Sequence, residues 1–91
     1  MRYSADMRTK RKTRKWTVRS PEDLGRAIAG VRGERGLTQA SLAENTAIER
    51  SYLARLEAGT SQLVLERALR ALRRMGATVT VTLPEEDGRQ S

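Results

Sequence analysis

Thr38–Gly59 reads TQASLAENTAIERSYLARLEAG, a stretch with the spacing of two short helices joined by a tight turn. The Thr38 hydroxyl is placed to cap the first helix. Leu42, Ala43, Ile48, Leu53 and Leu56 recur where a helix pair buries apolar groups against its neighbours. That leaves Gln39, Arg50, Ser51, Tyr52 and Arg55 pointing outward. A second helix with long, polar or basic side chains exposed near its N-terminus suits the DNA major groove, where base edges offer acceptors that guanidinium and hydroxyl groups read.

Within this stretch the pattern predicts helices over about Gln39–Asn45 and Arg50–Ala58, the second ended by Gly59. Upstream, Ser20-Pro21-Glu22-Asp23 has the form of a helix start: a capping hydroxyl, proline at the first helical position, and acids where the helix dipole favours them. Leu24, Ala27, Ile28 and Val31 then share one face of a helix running to about Arg35, with Gly36 as its stop. Gly25, Gly30 and Gly33 each cost about 1 kcal/mol against alanine inside a helix, so this element depends on packing rather than on its own propensity. Downstream, after a polar joint at Thr60-Ser61, Leu65, Ala68, Leu69, Leu72 and Met75 form the periodic face of a fourth helix closed by Gly76. Its other face holds Arg67, Arg70, Arg73 and Arg74, which read either as a solvated face or as phosphate contacts.

Beyond Gly76 the period changes. Ala77-Thr78-Val79-Thr80-Val81-Thr82-Leu83 alternates apolar and hydroxyl residues with period two until Pro84 breaks it, which is the pattern of a strand. A lone strand leaves its ladder groups unpaired. The economical solution is pairing of Thr78, Val79, Thr80, Val81, Thr82 and Leu83 with the same residues of a second copy about a two-fold axis. The alternative is an intrachain hairpin with Trp16-Thr17-Val18, part of the only other strand-like stretch.

Size and composition narrow the function. Ninety-one residues, 37% hydrophobic and only 3% aromatic, make one small domain with a thin aliphatic core. With no Cys and no His, the chain has no thiolate or imidazole metal site and no Ser-His or Cys-His nucleophile pair. No catalytic residues, metal or cofactor are therefore expected. No apolar run is long enough to span a bilayer, and the basic N-terminus is not followed by the apolar segment of a signal peptide, so a cytoplasmic, nucleoid-associated protein is expected.

The net charge of +7 is unevenly placed. Residues 1–19 hold eight basic groups against Asp6 alone, whereas the rest of the chain is formally neutral. Such an arm reads as a polyanion ligand, because each phosphate it neutralises releases condensed counterions; the alternative is a solvated leader. Lys10, Arg11, Lys12, Arg14 and Lys15 are the arm residues expected at DNA. The expected organisation is a flexible arm over 1–19, a helix-turn-helix domain over 20–76, a dimerising strand over 77–83 and a flexible acidic tail over 84–91.

The stretch TQASLAENTAIERSYLARLEAG resembles the helix-turn-helix of the Xre family, which includes the lambdoid phage repressors and many bacterial antitoxins. Within that family the chain is most similar to HipB-type antitoxins, because LERALRALRRMG runs straight into TVTVTL where phage repressors place a further helix. The resemblance covers about residues 20–83. It implies a mainly α, lambda-repressor-like bundle of about four helices, with Gln39 on a phosphate, Arg50, Ser51 and Arg55 facing base edges, Tyr52 near the backbone and Thr60 completing the DNA-binding set. Physical reasons run parallel: free amides at a helix N-terminus attract phosphate, and arginine grips guanine O6 and N7 with two bonds. An ion pair of Arg55 with Glu44 or Glu57, and partial packing of Tyr52, are the structural alternatives. Ala47, Thr46 and Glu49 depart from the family pattern of glycine, an apolar residue and a capping Ser or Thr. Glu49 is expected to cap weakly and to select sequence by accepting a hydrogen bond from a cytosine amine.

The implied function is a homodimeric transcriptional repressor on double-stranded DNA with a palindromic operator. As in HipB-type systems, it would also bind a toxin, a HipA-like kinase or another protein, and autoregulate their operon. A stand-alone Xre-type regulator of phage or host origin, without a toxin, is the alternative. A third reading is a protein-binding module with only generic nucleic-acid affinity through its arm.

Overall fold

The computed structural model describes residues 13–60 and 62–85. Local chemistry sets where its helices begin. Ser20 Oγ accepts the Asp23 N–H at 3.2 Å ahead of α1 (Pro21–Glu34). Thr38 and Ser41 form a reciprocal capping box ahead of α2 (Gln39–Thr46), with Ser41 N–H donating to Thr38 Oγ1 at 3.0 Å and Thr38 N–H to Ser41 Oγ at 2.9 Å. Glu49 precedes α3 (Arg50–Ala58) but makes no side-chain capping bond, contrary to the weak cap expected of it. A carboxylate on the longer Glu stem does not fold back onto the first-turn amides as Ser, Thr or Asp does. The last helix, α4 (Leu63–Arg74), also lacks a side-chain cap.

Three residues turn the chain between these helices in the left-handed region. Gly36, at φ 69°, follows α1, Ala47, at φ 61°, ends α2, and Gly59, at φ 73°, ends α3. At Gly59 the closing bonds run from its own N–H to the Leu56 carbonyl and from Thr60 N–H to the Arg55 carbonyl, both 3.1 Å. Glycine is needed there twice over, since a Cβ would also stand 2.6 Å from Glu22 Cα. One turn into α1, Gly25 lets the backbones of α1 and α3 meet: a Cβ there would lie 2.4 Å from the Glu57 carbonyl oxygen. The helix-weakening glycine of α1 is thus the contact through which that helix packs.

The strand expected over 77–83 forms as β2 (Val79–Leu83), and its partner lies in the same chain. It pairs antiparallel with β1 (Arg14–Val18), placing Trp16 opposite Val81 and Val18 opposite Val79. This is the intrachain alternative with Trp16-Thr17-Val18, not the pairing with a second copy that single-strand economy favoured, although α1 to α4 lie between the two strands where a hairpin would have a turn. The two strands match in phase, with Trp16, Val18, Val79, Val81 and Leu83 on the covered face and Lys15, Thr17, Thr80 and Thr82 exposed. The outer edge of β2 has no partner among the described residues. Arg14 and Lys15, expected in the basic arm, belong to β1. Lys10, Arg11 and Lys12 lie outside the described residues, as do Ser61 and the tail beyond Glu85.

Val18, Ala27 and Leu69 are the buried centre, with Trp16, Leu24, Leu65, Val79 and Val81 packed around them. Two residues expected on the buried face of α4 are exposed: Ala68, and Met75 at 74%. At about 100° per residue both fall well round the helix from Leu69, whereas Leu65 and Leu72 stay beside it.

Two substitutions test these backbone constraints by thermal and urea unfolding. Gly25→Ala is expected to cost about 3 kcal/mol or more, because its methyl meets backbone rather than a movable side chain. Ala47→Gly is expected to stabilise by about 0.5–1 kcal/mol, raising the melting temperature by about 2–8 °C, since relief of a left-handed alanine outweighs the added freedom of the unfolded chain.

Candidate nucleic-acid interface

One carboxylate ties together the three helices that build the site. Glu57 lies near the end of α3 with its side chain 7% exposed. Arg32 of α1 grips it with two bonds, Nε to Oε2 at 2.7 Å and Nη2 to Oε1 at 2.9 Å, while Arg32 Nη1 donates to the Leu37 carbonyl at 3.0 Å. Gln39, the first residue of α2, adds Nε2 to Oε1 at 3.0 Å. Arg32 from α1 and Gln39 from α2 thus meet on one carboxylate of α3, so the tie fixes α2 and α3 against α1.

The Arg32 bonds hold the Glu57 carboxyl below the usual carboxylate range; burial pulls the other way, and the Gln39 bond adds to the lowering. Asp23 is also held below its ordinary value, chiefly by the Arg19 backbone N–H at 2.9 Å, with Arg26 assisting.

This frame leaves the start of α3 uncovered. Arg50, Ser51, Tyr52 and Arg55 are all exposed: Ser51, Tyr52 and Arg55 lie round the helix from the buried Leu53, and Arg50 is open at the first position of the helix. Arg55 lies over the Tyr52 ring, 5.4 Å from its centroid, a cation–π contact that holds both side chains on the open flank. The Glu57 alternative for Arg55 is closed, because that carboxylate is taken by Arg32 and Gln39. Tyr52, 41% exposed, combines partial packing with an accessible ring. Between α2 and α3 the turn leaves a shallow depression lined in part by Ala40, Glu44, Ala47, Glu49 and Arg50, with both carboxylates exposed at its rim.

The other expected site residues fall in different places. Gln39 is half-buried and donates to Glu57, so in the free chain its amide serves the helix tie. Thr60 is exposed just past the end of α3. Arg14 is paired with Glu34 and lies 5.1 Å from the Trp16 ring centroid, which binds it to α1 and β1; Lys15 is exposed on the polar face of the sheet. Sequence reasoning missed Arg32 and the structural role of Glu57. A signal was present, since Glu57 follows the inward-facing Leu53 by one helical turn, where an unpaired carboxylate would be costly.

A family model described as a helix-turn-helix domain matches residues 23–82, more than half of the chain. The chain belongs to this family. No curated protein and no solved structure matches it. The match runs from the first turn of α1 through most of β2, and supports the resemblance to Xre-like proteins without singling out the HipB type. The helix-turn-helix protein thus presents α2 and α3 as a DNA-binding module, and none of its described helices is long and apolar enough to cross a membrane.

Arg32→Met should destabilise by about 3 kcal/mol at neutral pH, because it strands a buried carboxylate. In the native protein the lowered Glu57 and Asp23 values contribute stability above the ordinary carboxylate range, lost as pH falls through the folded values. In the variant, burial no longer opposed by Arg32 raises Glu57, so protonation relieves the defect. Urea titrations from pH 7 to about pH 3.5 should show the gap between the two proteins closing on acidification.

Proposed function

We propose that this helix-turn-helix protein is a homodimeric transcriptional repressor that binds a palindromic operator. The carrying observation is the exposed flank of α3, with Arg50, Ser51 and Arg55 on a helix whose inner side is locked to α1 and α2 through Glu57. A rigid helix with a free basic and hydroxylated flank loses little freedom on entering the major groove, and arginine there reads guanine. Gln39 and the α2 N-terminus meet a phosphate, Tyr52 and Thr60 lie along the backbone, and Glu49 accepts from a cytosine amine. Residues 77–83 supply the dimer contact through the outer edge of β2, so that two sheets join about a two-fold axis. Two copies of α3 then enter successive major grooves about 34 Å apart.

The reading extends to an antitoxin. The passage from α4 into β2 is where the chain is most similar to HipB-type antitoxins, and on that resemblance the repressor also restrains a co-encoded toxin and controls their shared operon. Co-expression with the neighbouring gene product supplies the test. A stable complex and rescue of growth support the antitoxin; independence of the two proteins returns the chain to a stand-alone regulator.

Footprinting on the upstream promoter tests the DNA half. The native chain should protect a symmetric site, and Arg50→Ala/Arg55→Ala should lose that protection, weakening specific binding by about 100-fold or more while its melting temperature holds. Equal occupancy by the double variant would falsify the major-groove role of α3. Deleting residues 1–13 leaves β1 whole and removes Arg2, Arg8, Lys10, Arg11 and Lys12. The salt dependence of binding should flatten by about two to four units if those residues track phosphates, and an unchanged slope would remove them from the interface.

A further inference from the structure

The outer surface of α4 carries two adjoining features that the DNA-binding module does not use. Stepping about 100° per residue from the buried Leu69, Val64, Ala68, Ala71 and Met75 align along one side of the helix. All four are exposed, Val64 at 83% and Met75 at 74%, and the two alanines between them leave room for close approach of another helix. Along the next side run Arg67, Arg70 and Arg74, likewise exposed and continuing the row begun by Leu63. Arg73 is set apart by its bond to the Arg19 carbonyl.

We propose that α4 is the docking surface for an acidic amphipathic helix of a partner protein. An apolar stripe beside an arginine row asks for a ligand helix with apolar residues along one side and carboxylates along the neighbouring one. Other occupants fit one half of the surface only. A DNA backbone would satisfy the arginines but gain nothing from Val64 and Met75. A second copy laid antiparallel along the same stripe would set two arginine rows side by side. Residues 1–12 of this chain are basic, and residues 86–91, though partly acidic, contain no apolar side chain. The inference rests on the partner-binding half of the reading above and gives that partner a chemistry; it is independent of DNA recognition by α3.

The test uses the full chain, labelled with nitrogen-15, and synthetic helical peptides of about 18 residues as probes. One peptide carries a leucine stripe flanked by glutamates, the second replaces the glutamates with lysines, and the third replaces the leucines with serines. The glutamate peptide is expected to bind with amide shifts concentrated in residues 63–75, and both controls about tenfold or more weaker. Val64→Ser and Arg70→Glu, both at exposed positions, should each weaken binding about fivefold or more with unchanged unfolding curves and unchanged promoter footprints. The proposal is overturned if the lysine peptide binds equally well, if the shifts map elsewhere, if no probe binds at millimolar concentration, or if Val64→Ser dissociates a dimer and thereby shows the stripe already covered by a second copy. Loss of the native footprint, or failure of the neighbouring gene product to associate, counts against the proposed function and leaves the peptide result to decide α4.

Discussion

The buried carboxylate of Glu57 is the constraint that sets how α3 sits against α1 and α2. A helix-turn-helix presents a short helix whose own propensity cannot hold it, since α3 spans nine residues and begins without a side-chain cap. Its orientation must come from outside. Arg32 and Gln39 supply it by converging on one acceptor, and Gly25 supplies it again by letting α1 and α3 approach backbone to backbone beneath that acceptor. Charge and shape complementarity therefore meet at the same place, and the outer flank of α3 is left with its arginines and hydroxyls unspent.

The same economy explains what happens to the positive charge. Eighteen basic residues stand against eleven acids, and the structure divides those it describes by task. Arg32 is internal to the helix tie, Arg14 is held by Glu34 and the Trp16 ring, and Arg73 caps a carbonyl of the β1–α1 joint. Those arginines serve the fold. Arg50 and Arg55 on α3, and Arg67, Arg70 and Arg74 on α4, form two separate outward groups on two different helices. Two cationic surfaces with different neighbours, one bordered by hydroxyls and a tyrosine ring and the other by an apolar stripe, are suited to chemically different ligands.

The two-stranded sheet closes the molecule in a way that bears on assembly. Trp16 and Val18 cover the core from one strand, Val79 and Val81 from the other, and the indole of Trp16 lies against Gly30 of α1. In a chain with a thin aliphatic core, this pairing brings its one tryptophan onto that core. Among the described residues each strand is paired along one edge only.

Features written within a turn or two of chain are legible from residue order alone. The Ser20 and Thr38 caps, the stops at Gly36 and Gly59, the limits of α3 and the outward flank with Arg50, Ser51 and Arg55 depend on residues a few positions apart, so periodicity and capping chemistry reveal them. Other features needed the folded chain, because their partners are distant in sequence: the pairing of β1 with β2, the grip of Arg32 and Gln39 on Glu57, the exposure of Met75, and the bond of Arg14 to Glu34. A glutamate or an alternating strand announces its need for a partner locally. Which partner meets it depends on how the helices pack, because loop closure brings several candidates within reach and only burial selects among them.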